Sequence, residues 1–413
     1  MKTTVNKCLL VLLFFLVLLG AGCKNDRVHS MVPGHSLPAR DSCRFEPDHH
    51  YFVTLPDHTG PDKKFPLVIA IDPHGDGLLA VQKFRDALKD LPVVVAGSGK
   101  VRNNYPGYEL SLNNLYNDLL EKYPVDPDRV LMAGFSGGAR MALDYGLRNP
   151  VRGIVMFGAG PVQVRGGFQE KQVYAVSGTR DFNFSEQYRP LFSDLEGSSG
   201  YVNDYFRGIH EWPPEQYIRE AVIYCFRDVT GPFRSLSGSL TSDFMEEADS
   251  LQAAGDILFA GKALEKAYYF TDGKKLRNQL LQRISEFRKN PDWIAGQHEI
   301  ENFLRLEAQK KRVYAEKLQD PDMAWWSGEL DTLFFQIDNA EDLLERDHYA
   351  RLKGFLGIYL YSRINTLLRN GNTSDLTDRM LEIYERVEPA SDDLENFKFL
   401  LSILKARNPS PSG

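Results

Sequence analysis

Short apolar runs alternate with amphipathic stretches over the first half of the chain, from Tyr51 to about Val229. Several of these runs are apolar at nearly every position, which is typical of strands that are buried on both faces of a sheet. The pattern predicts strands at residues 51–55, 66–71, 92–96, 130–133, 153–157, 172–176 and 202–206. It predicts helices at residues 79–88, 109–122, 138–147 and 215–226. Alternating strands and helices indicate an α/β fold, a doubly wound and mostly parallel sheet with helices on both faces.

After about Gly231 the strand pattern stops, and Leu, Ala, Glu, Lys and Arg recur at helical spacing. The clearest helical segments are residues 276–287, 300–319, 343–368 and 394–405. Residues 260–267 resemble part of a tetratricopeptide helix pair, because their small residues stand where two helices would cross closely. An irregular helical bundle is the alternative. We therefore predict an α/β domain at residues 46–230 and an all-α domain at residues 231–413, with a turn-rich boundary at 231–238.

The N-terminus carries a separate signal. Lys2 and Lys7 precede an apolar run at residues 8–19, and small residues follow it up to Cys23. This pattern is typical of a secretory signal peptide, and the run is shorter than the roughly 20 residues that a membrane helix takes. Residues 19–23 resemble the lipobox of bacterial lipoproteins, although Leu19 stands one residue further from the cysteine than is usual. The resemblance implies a signal peptide at residues 1–22, a lipidated Cys23 and attachment to a bacterial membrane, on its periplasmic face or at the cell surface.

An ordinary signal peptide with a free cysteine is the alternative. Residues 23–45, polar and turn-rich, are interpreted as a tether. Cys43 and Cys225 flank the α/β domain, and they either pair in an oxidising compartment or are two unrelated buried thiols.

Charge and composition exclude some classes of function. The net charge is −7, and acidic and basic residues are interspersed. No stripe of Lys and Arg is present to neutralise phosphates, so nucleic acid is not expected as a partner. The sequence also shows no cluster of metal-ligating residues and no loop that would cradle a phosphate. We therefore expect neither a metal nor a cofactor.

The strongest chemical signal is the motif Gly-Phe-Ser-Gly-Gly at residues 134–138, between a predicted strand and a predicted helix. In this setting G-x-S-x-G is typical of a nucleophile elbow, a strained turn that lifts the serine hydroxyl above the sheet. Glycines two residues on either side of the serine avoid clashes with neighbouring elements. We interpret Ser136 as a nucleophile, and a tight turn with a buried serine is the alternative.

A serine hydroxyl needs a base that is itself held by a third group. In this fold the acid and the histidine follow the serine in that order. Asp181 comes just after a predicted strand, and His210 is the one histidine between Ser136 and the end of the α/β domain. We predict that Ser136, Asp181 and His210 form a catalytic triad. Asp194 and Asp204 are weaker alternatives for the acid, and a helix-capping Asp181 or a structural His210 would remove the triad.

The oxyanion of the reaction needs hydrogen-bond donors. One is expected to be the backbone N–H of Gly137, the residue after the nucleophile. The other is assigned to the backbone N–H of Asp76, in the glycine-containing loop after the strand at 66–71. Gly75 is expected to shape that loop. His74 is interpreted as a residue that organises the loop, with a role as base as the less favoured alternative.

Residues 125–130 and 134–140 together resemble the esterases related to polyhydroxybutyrate depolymerases, feruloyl esterases and dienelactone hydrolases. Residues 208–213, Gly-Ile-His-Glu-Trp-Pro, are similar to the segment around the catalytic histidine of these enzymes, and residues 74–75 match their oxyanion loop. The resemblance covers about residues 46–228 and implies an α/β-hydrolase that cleaves carboxylic esters with the same three residues. Ile209 departs from the family pattern, which commonly has a second glycine there.

The sequence therefore predicts a serine hydrolase that cleaves carboxylic esters through an acyl-enzyme. Two alternatives stay open. One is a surface-anchored interaction protein with a vestigial hydrolase domain and a protein partner on its helices. The other is a serine peptidase on the same fold, since the triad is shared. The helical domain is expected to fold separately and to supply no catalytic group.

Overall fold

The computed structural model describes residues 37–56, 63–161, 171–189, 200–228 and 231–407, so the predicted signal peptide and Cys23 lie outside the described residues. The first part of the chain forms one sheet. Its strands are β1 (Ala39–Cys43), β2 (Glu46–Thr54), β3 (Phe65–Ile71), β4 (Val94–Ser98), β5 (Val125–Phe135), β6 (Gly153–Phe157), β7 (Gln172–Gly178) and β8 (Tyr201–Phe206). Their spatial order is β1-β2-β4-β3-β5-β6-β7-β8. The pairs formed by β1 with β2 and by β2 with β4 are antiparallel, and all others are parallel.

Helices cover both faces of this sheet, which confirms the doubly wound α/β fold. They are α1 (Gly77–Leu88), α2 (Tyr108–Lys122), α3 (Gly137–Arg148), α4 (Phe184–Gln187) and α5 (Glu215–Phe226). Successive side chains of a strand point to opposite faces. In β5, Leu131 joins the apolar cluster under α1 and α5, and Met132 joins the cluster under α2 and α3. Because β3 and β5–β8 are parallel, the loops that follow them open at one edge of the sheet.

Strand β1 lies inside the stretch that was predicted to be a tether. Its residues are Ala-Arg-Asp-Ser-Cys, and it pairs with β2 so that Ala39 stands opposite Val53. An antiparallel strand at the edge of a sheet can keep one face toward water and needs few apolar residues. Because β1 has no apolar run, the sequence pattern did not predict it, and the sheet of the α/β domain begins at Ala39 rather than at residue 46.

Cys43 and Cys225 are both buried and free. Cys43 belongs to the apolar cluster on one face of the sheet, and Cys225 belongs to the cluster on the other face. The sheet separates the two thiols, so the structure supports two unrelated cysteines rather than a disulfide. Burial raises the pKa of the Cys225 thiol to about 12, which keeps it protonated and unreactive at neutral pH.

The second part of the described chain is helical, which confirms the all-α region. Its helices are α6 (Pro232–Ala253), α7 (Ile257–Phe270), α8 (Lys274–Phe287), α9 (Pro291–Lys317), α10 (Met323–Asn339), α11 (Leu343–Arg369), α12 (Asp375–Val387) and α13 (Asp392–Arg407). Among the helices of the described ranges, none combines the length and the apolar character that a membrane crossing requires. Residues 260–267 lie on α7, which packs against α6 and α8. The tetratricopeptide-like repeat stays a prediction.

The predicted turn-rich boundary at 231–238 is wrong, because α6 already begins at Pro232. Proline is favourable in the first turn of a helix, where its missing N–H would have no partner within the helix. Ser237 does not shape a turn, since its Oγ donates a hydrogen bond to the Phe270 carbonyl at 2.7 Å. Gly231 directly precedes this helix, and its positive φ of 104° is a conformation that glycine adopts readily.

Buried charges join the helical region to the sheet. Lys266 on α7 places its Nζ 3.3 Å from Asp204 Oδ2 on β8 and 2.7 Å from Glu220 Oε2 on α5. Lys262 donates to the Asn203 carbonyl at 2.8 Å. By its contacts the chain from Pro38 onwards forms one compact unit. The helical region is thus packed onto the α/β domain through buried charges, and its separate folding stays a prediction.

Candidate active site

Ser136 lies in the sharp turn between β5 and α3, with φ 52° and ψ −119°. A positive φ is costly for a residue other than glycine, and it is retained where the surrounding structure enforces it. A Cβ atom at Gly134 would lie 2.3 Å from the Gly138 carbonyl carbon, and one at Gly138 would lie 2.1 Å from the Ile71 oxygen. Both glycines are therefore required by close backbone approach, as the motif predicted. The turn has the geometry that a nucleophile elbow requires.

The structure brings Ser136, His210 and Asp181 together. His210 Nε2 lies 3.0 Å from Ser136 Oγ, and His210 Nδ1 lies 2.9 Å from both carboxylate oxygens of Asp181. The three residues follow β5, β8 and β7, so each stands at the same edge of the sheet. The Asp181 side chain is fully buried, and its Oδ1 also accepts the N–H of Asn183 at 2.8 Å.

These contacts define the chemistry that the three side chains can perform. When Asp181 accepts the proton on His210 Nδ1, the neutral ring has an unprotonated Nε2 that can accept the Ser136 hydroxyl proton. The imidazole of His210 is 20% exposed, so a substrate can approach it while the carboxylate stays shielded from water. The arrangement is that of a nucleophile, a base and a group that orients the base.

The alternatives for the acid are placed elsewhere. Asp204 is buried at 1% exposure, and it contacts Lys266 and accepts the Tyr174 hydroxyl at 3.0 Å. Asp194 lies outside the described residues. His74 is exposed, and its backbone N–H donates to Asp72 Oδ1 at 2.8 Å. This contact involves the backbone alone, so the role of the His74 side chain in the loop stays a prediction.

Two aromatic rings that no sequence motif predicted contact the imidazole of His210. The ring centroid of Phe135 lies 4.7 Å from that of His210, and the centroid of Phe182 lies 4.2 Å away. Trp212 packs against Phe135 and Phe157, at 5.4 Å and 5.7 Å. Phe135 and Phe182 adjoin the predicted nucleophile and acid in sequence, and that adjacency was the signal that could have revealed them.

The predicted oxyanion residues lie at the starts of two helices. Gly137 is the first residue of α3, directly after Ser136. Asp76 caps α1, and its side chain accepts the Leu79 N–H at 2.9 Å. The Asp76 N–H, the predicted donor, points to Asp72 Oδ1 over a long 3.4 Å contact. Gly75 has φ 80°, which fits its predicted role in shaping the turn.

Asn103, in the loop after β4, contacts both halves of this region and was missed by the sequence analysis. Its backbone N–H donates to the Pro73 carbonyl at 2.8 Å. Its side chain lies against Gly137, since a Cβ atom there would stand 1.6 Å from Asn103 Oδ1. Asn103 therefore links the loop of Asp76 to the nucleophile elbow. No local sequence pattern marks it, because the contact depends on how β3, β4 and β5 are arranged.

Within the described ranges, no group of three or more His, Cys, Asp or Glu side chains is placed to hold a metal ion. The site residues that the structure brings together are a hydroxyl, an imidazole and a carboxylate. Two cations from the helical region, Arg351 and Lys311, also reach the loop that carries Asp181.

No protein-family model matches the chain, and no curated protein matches its sequence. Several solved structures align with it. A thermostable esterase shares 16% identity over 46% of this chain and 62% of its own, with a TM-score of 0.37. The fluorophosphonate-binding serine hydrolase F of Staphylococcus aureus shares 14% identity over 48% of this chain and 100% of its own, with a TM-score of 0.40. A feruloyl esterase module from Clostridium thermocellum shares 13% identity over 47% of this chain and 89% of its own, with a TM-score of 0.36. These neighbours are esterases and serine hydrolases, each similar to less than half of the chain, and the chain spans less than two thirds of the thermostable esterase.

Proposed function

We propose that this protein is a serine hydrolase that cleaves carboxylic esters. The observation that carries the proposal is the contact of His210 with Ser136 Oγ at 3.0 Å on one side and with Asp181 at 2.9 Å on the other. This constellation performs nucleophilic acyl transfer on several unrelated folds. Here it stands at a strained elbow, where the serine hydroxyl is lifted above the sheet.

In the proposed reaction Ser136 Oγ attacks the ester carbonyl while His210 Nε2 takes the hydroxyl proton. Asp181 orients the ring and stabilises the imidazolium that forms. Backbone N–H groups of Gly137 and Asp76 are assigned to the oxyanion, and the Asp76 amide would exchange its long 3.4 Å contact with Asp72 Oδ1 for a shorter hydrogen bond to the oxyanion. His210 then protonates the leaving alcohol. Water, activated by the same histidine, cleaves the acyl-enzyme and restores Ser136.

The backbone geometry supports an active enzyme over a vestigial domain. A non-glycine residue held at φ 52° costs on the order of 1–3 kcal/mol. A chain that no longer used its serine could carry glycine at position 136 and avoid this cost. Ester cleavage is favoured over peptide cleavage by the resemblance of residues 134–140 and 208–213 to esterases.

The test is labelling by a fluorophosphonate, together with hydrolysis of p-nitrophenyl acetate. We expect the wild-type chain to be labelled on Ser136, and Ser136→Ala, His210→Ala and Asp181→Asn each to lower kcat by about 10⁴- to 10⁶-fold. The losses should not add, because the three residues act as one unit. Ser235→Ala, which changes an exposed serine on α6, is the matched control. Labelling or turnover that survives in Ser136→Ala would refute the serine mechanism.

The substrate class needs its own measurement. Acetyl, butyryl and feruloyl esters are compared with amides of the same acids, using kcat/KM for each. We expect the esters to be cleaved and the amides to resist. Faster cleavage of peptide amides than of esters would favour the peptidase alternative.

We also propose that the enzyme is held at a bacterial membrane through a lipidated Cys23. Support comes from the basic start, the apolar run and the small residues before Cys23, which are typical of a lipoprotein signal. Residues 24–38 would then link the lipid to β1. A protein partner of the helices is a further proposal, which rests on the size of the helical region alone.

A further inference from the structure

The loop that carries Asp181 is held by two cations from the C-terminal helices. Arg351 on α11 donates from Nη1 to the Thr179 carbonyl at 2.6 Å. Lys311 on α9 donates from Nζ to the Phe182 carbonyl at 3.0 Å. These carbonyls stand two residues before Asp181 and one residue after it. The helices thus form hydrogen bonds to the loop backbone both before and after Asp181 in sequence.

A buried carboxylate fixes both cations in place. Glu307 on α9 is 1% exposed, and its Oε1 accepts from Arg351 Nε at 2.6 Å. His348 Nδ1 lies 3.3 Å from the same oxygen, and Lys311 Nζ lies 3.5 Å from the other. Burial alone would raise the pKa of Glu307, but the hydrogen bond to His348 and the charges of Arg351 and Lys311 hold it below its ordinary value. The carboxylate therefore stays charged and keeps Arg351 aimed at the loop.

Helix α11 also contacts Phe182, whose ring packs in a tilted arrangement against His210. Phe182 lies against the His210 ring at 4.2 Å. A Cβ atom at Gly354 would lie 3.4 Å from Phe182 Cδ1, so α11 is in van der Waals range of the Phe182 ring. The Arg351 guanidinium lies 5.1 Å from the centroid of Phe184, in the short helix that follows the loop. The helices therefore contact the loop through its backbone and through its aromatic side chains.

We infer that Arg351 and Lys311 are positioning residues that hold the Asp181 loop so that the carboxylate stays on His210 Nδ1. The inference rests on the proposed function and extends it, because it makes the helical region part of the catalytic apparatus without adding a catalytic group. A catalytic group displaced by about 1 Å can lose about 10²-fold in rate. A loop is the part of a fold that opens most easily, so its placement depends on such contacts.

The experiment uses the full chain. Arg351→Met alone removes the donor but leaves the buried Glu307 with less charge compensation. The main variant therefore combines Arg351→Met with Glu307→Gln, which removes the Arg351 ion pair and also the carboxylate that holds Lys311. We expect kcat for p-nitrophenyl acetate to fall by about 10- to 100-fold, with KM unchanged within about twofold. Arg351→Lys, which keeps one donor, should recover part of the loss. Arg363→Met, at an exposed arginine of the same helix, is the matched control and should leave kcat unchanged.

Two further measurements separate positioning from general stability. In an Asp181→Asn background the Arg351 and Glu307 changes should add no further loss, because they act through Asp181. The downfield proton NMR signal of the His210 Nδ1–H hydrogen bond should shift or broaden in the main variant and persist in Arg363→Met. A folded main variant with wild-type kcat and an unchanged signal would overturn the inference, and so would a loss that is equally large in the Asp181→Asn background. If the wild-type chain neither reacts with fluorophosphonate nor cleaves esters, the proposed function fails, and the NMR signal alone then decides whether Arg351 places the loop.

Discussion

Gly138 is the glycine of the Ser136 turn that approaches neighbouring backbone most closely. Its Cα faces the Ile71 carbonyl at the end of β3, and an added Cβ atom would stand 2.1 Å from that oxygen. The Gly138 Cα is held by α3 and the Ile71 oxygen by the sheet, so neither atom can rotate away from the added Cβ. The glycine therefore sets the distance between the elbow and the neighbouring strand, and with it the position of Ser136.

Gly138→Ala is expected to lower the free energy of unfolding by about 1–3 kcal/mol, the typical cost of overpacking a tight site. It should also slow fluorophosphonate labelling, because α3 must shift away from β3 and carry Ser136 with it. Gly328→Ala is the control. Gly328 lies in the exposed part of α10 with open space around its Cα, so alanine should stabilise the helix by about 0.5–1 kcal/mol. Urea unfolding measures both, and equal stability and labelling of Gly138→Ala and wild type would contradict the argument.

At the scale of elements, α7 is attached to β8 and α5 by one lysine between two carboxylates. The side chains of Lys266, Asp204 and Glu220 are 5%, 1% and 8% exposed. Although burial disfavours its charge, Asp204 and Glu220 raise the pKa of Lys266 above its ordinary value, so it stays protonated. One positive charge cannot compensate two buried carboxylates fully. Burial raises the pKa of Glu220 to about 7, with Lys266 opposing the shift and Asp204 adding to it.

This shift predicts how stability depends on pH. Between the ordinary Glu value of 4.5 and about 7, the folded protein keeps a proton on Glu220 that the unfolded chain has lost. Unfolding then releases a proton, so the contribution of this group is fully present below pH 4.5 and is lost as the pH rises through about 7. At about 1.4 kcal/mol per pKa unit the loss is on the order of 3 kcal/mol.

Glu220→Gln removes this titration while keeping the shape of the side chain. We expect the variant to gain stability relative to wild type as the pH is raised from 5 to 8, with urea unfolding measured at each pH. Glu215→Gln changes an exposed residue of the same helix and should leave the slope of stability against pH as it is in wild type. Identical slopes for Glu220→Gln and wild type would show that Glu220 does not carry the effect.

At the scale of the whole molecule, the buried charges between the two regions argue that neither is complete alone. A chain ending at Asp228 would lose Lys266 and leave the carboxylates of Asp204 and Glu220 uncompensated. It would also uncover the aromatic side chains of α5 that pack against α6 and α7, among them Phe226. We expect this truncated chain to lack a cooperative thermal transition by circular dichroism and to be inactive. A truncated protein that melts cooperatively and still cleaves acetate esters would restore the separate module that the sequence suggested.

Attachment to the membrane is tested independently of catalysis. Cys23→Ser should move the protein into the soluble fraction or leave the signal peptide uncut, because serine cannot be lipidated in the same way. The measurement is detergent partitioning together with the mass of the mature N-terminus. Unchanged partitioning of Cys23→Ser would show that the lipobox interpretation is wrong.

Local signals were sufficient for much of the α/β domain. The strands with continuous apolar runs were predicted near their observed positions, because burial on both faces leaves a pattern in the strand itself. The elbow glycines were predicted because backbone crowding at a sharp turn depends on residues only two positions away. The edge strand β1 and the start of α6 were missed or misplaced, since one is half solvated and the other opens with Pro, Ser and Gly that also occur in turns.

By itself the sequence determined the alternation of strands and helices, the elbow around Ser136, and the order in which Asp181 and His210 follow it along the chain. These features depend on periodicity and on short-range backbone geometry, and both can be recognised from residues close together in the sequence. Only the tertiary structure decided which distant charges meet: Arg351 reaches the Thr179 carbonyl across 172 residues, and Lys311 reaches the Phe182 carbonyl across 129. On exposed helices such residues would be solvated cations like their neighbours. Packing of the helices onto the sheet desolvates them and aims them at the loop of Asp181, and no local pattern encodes that.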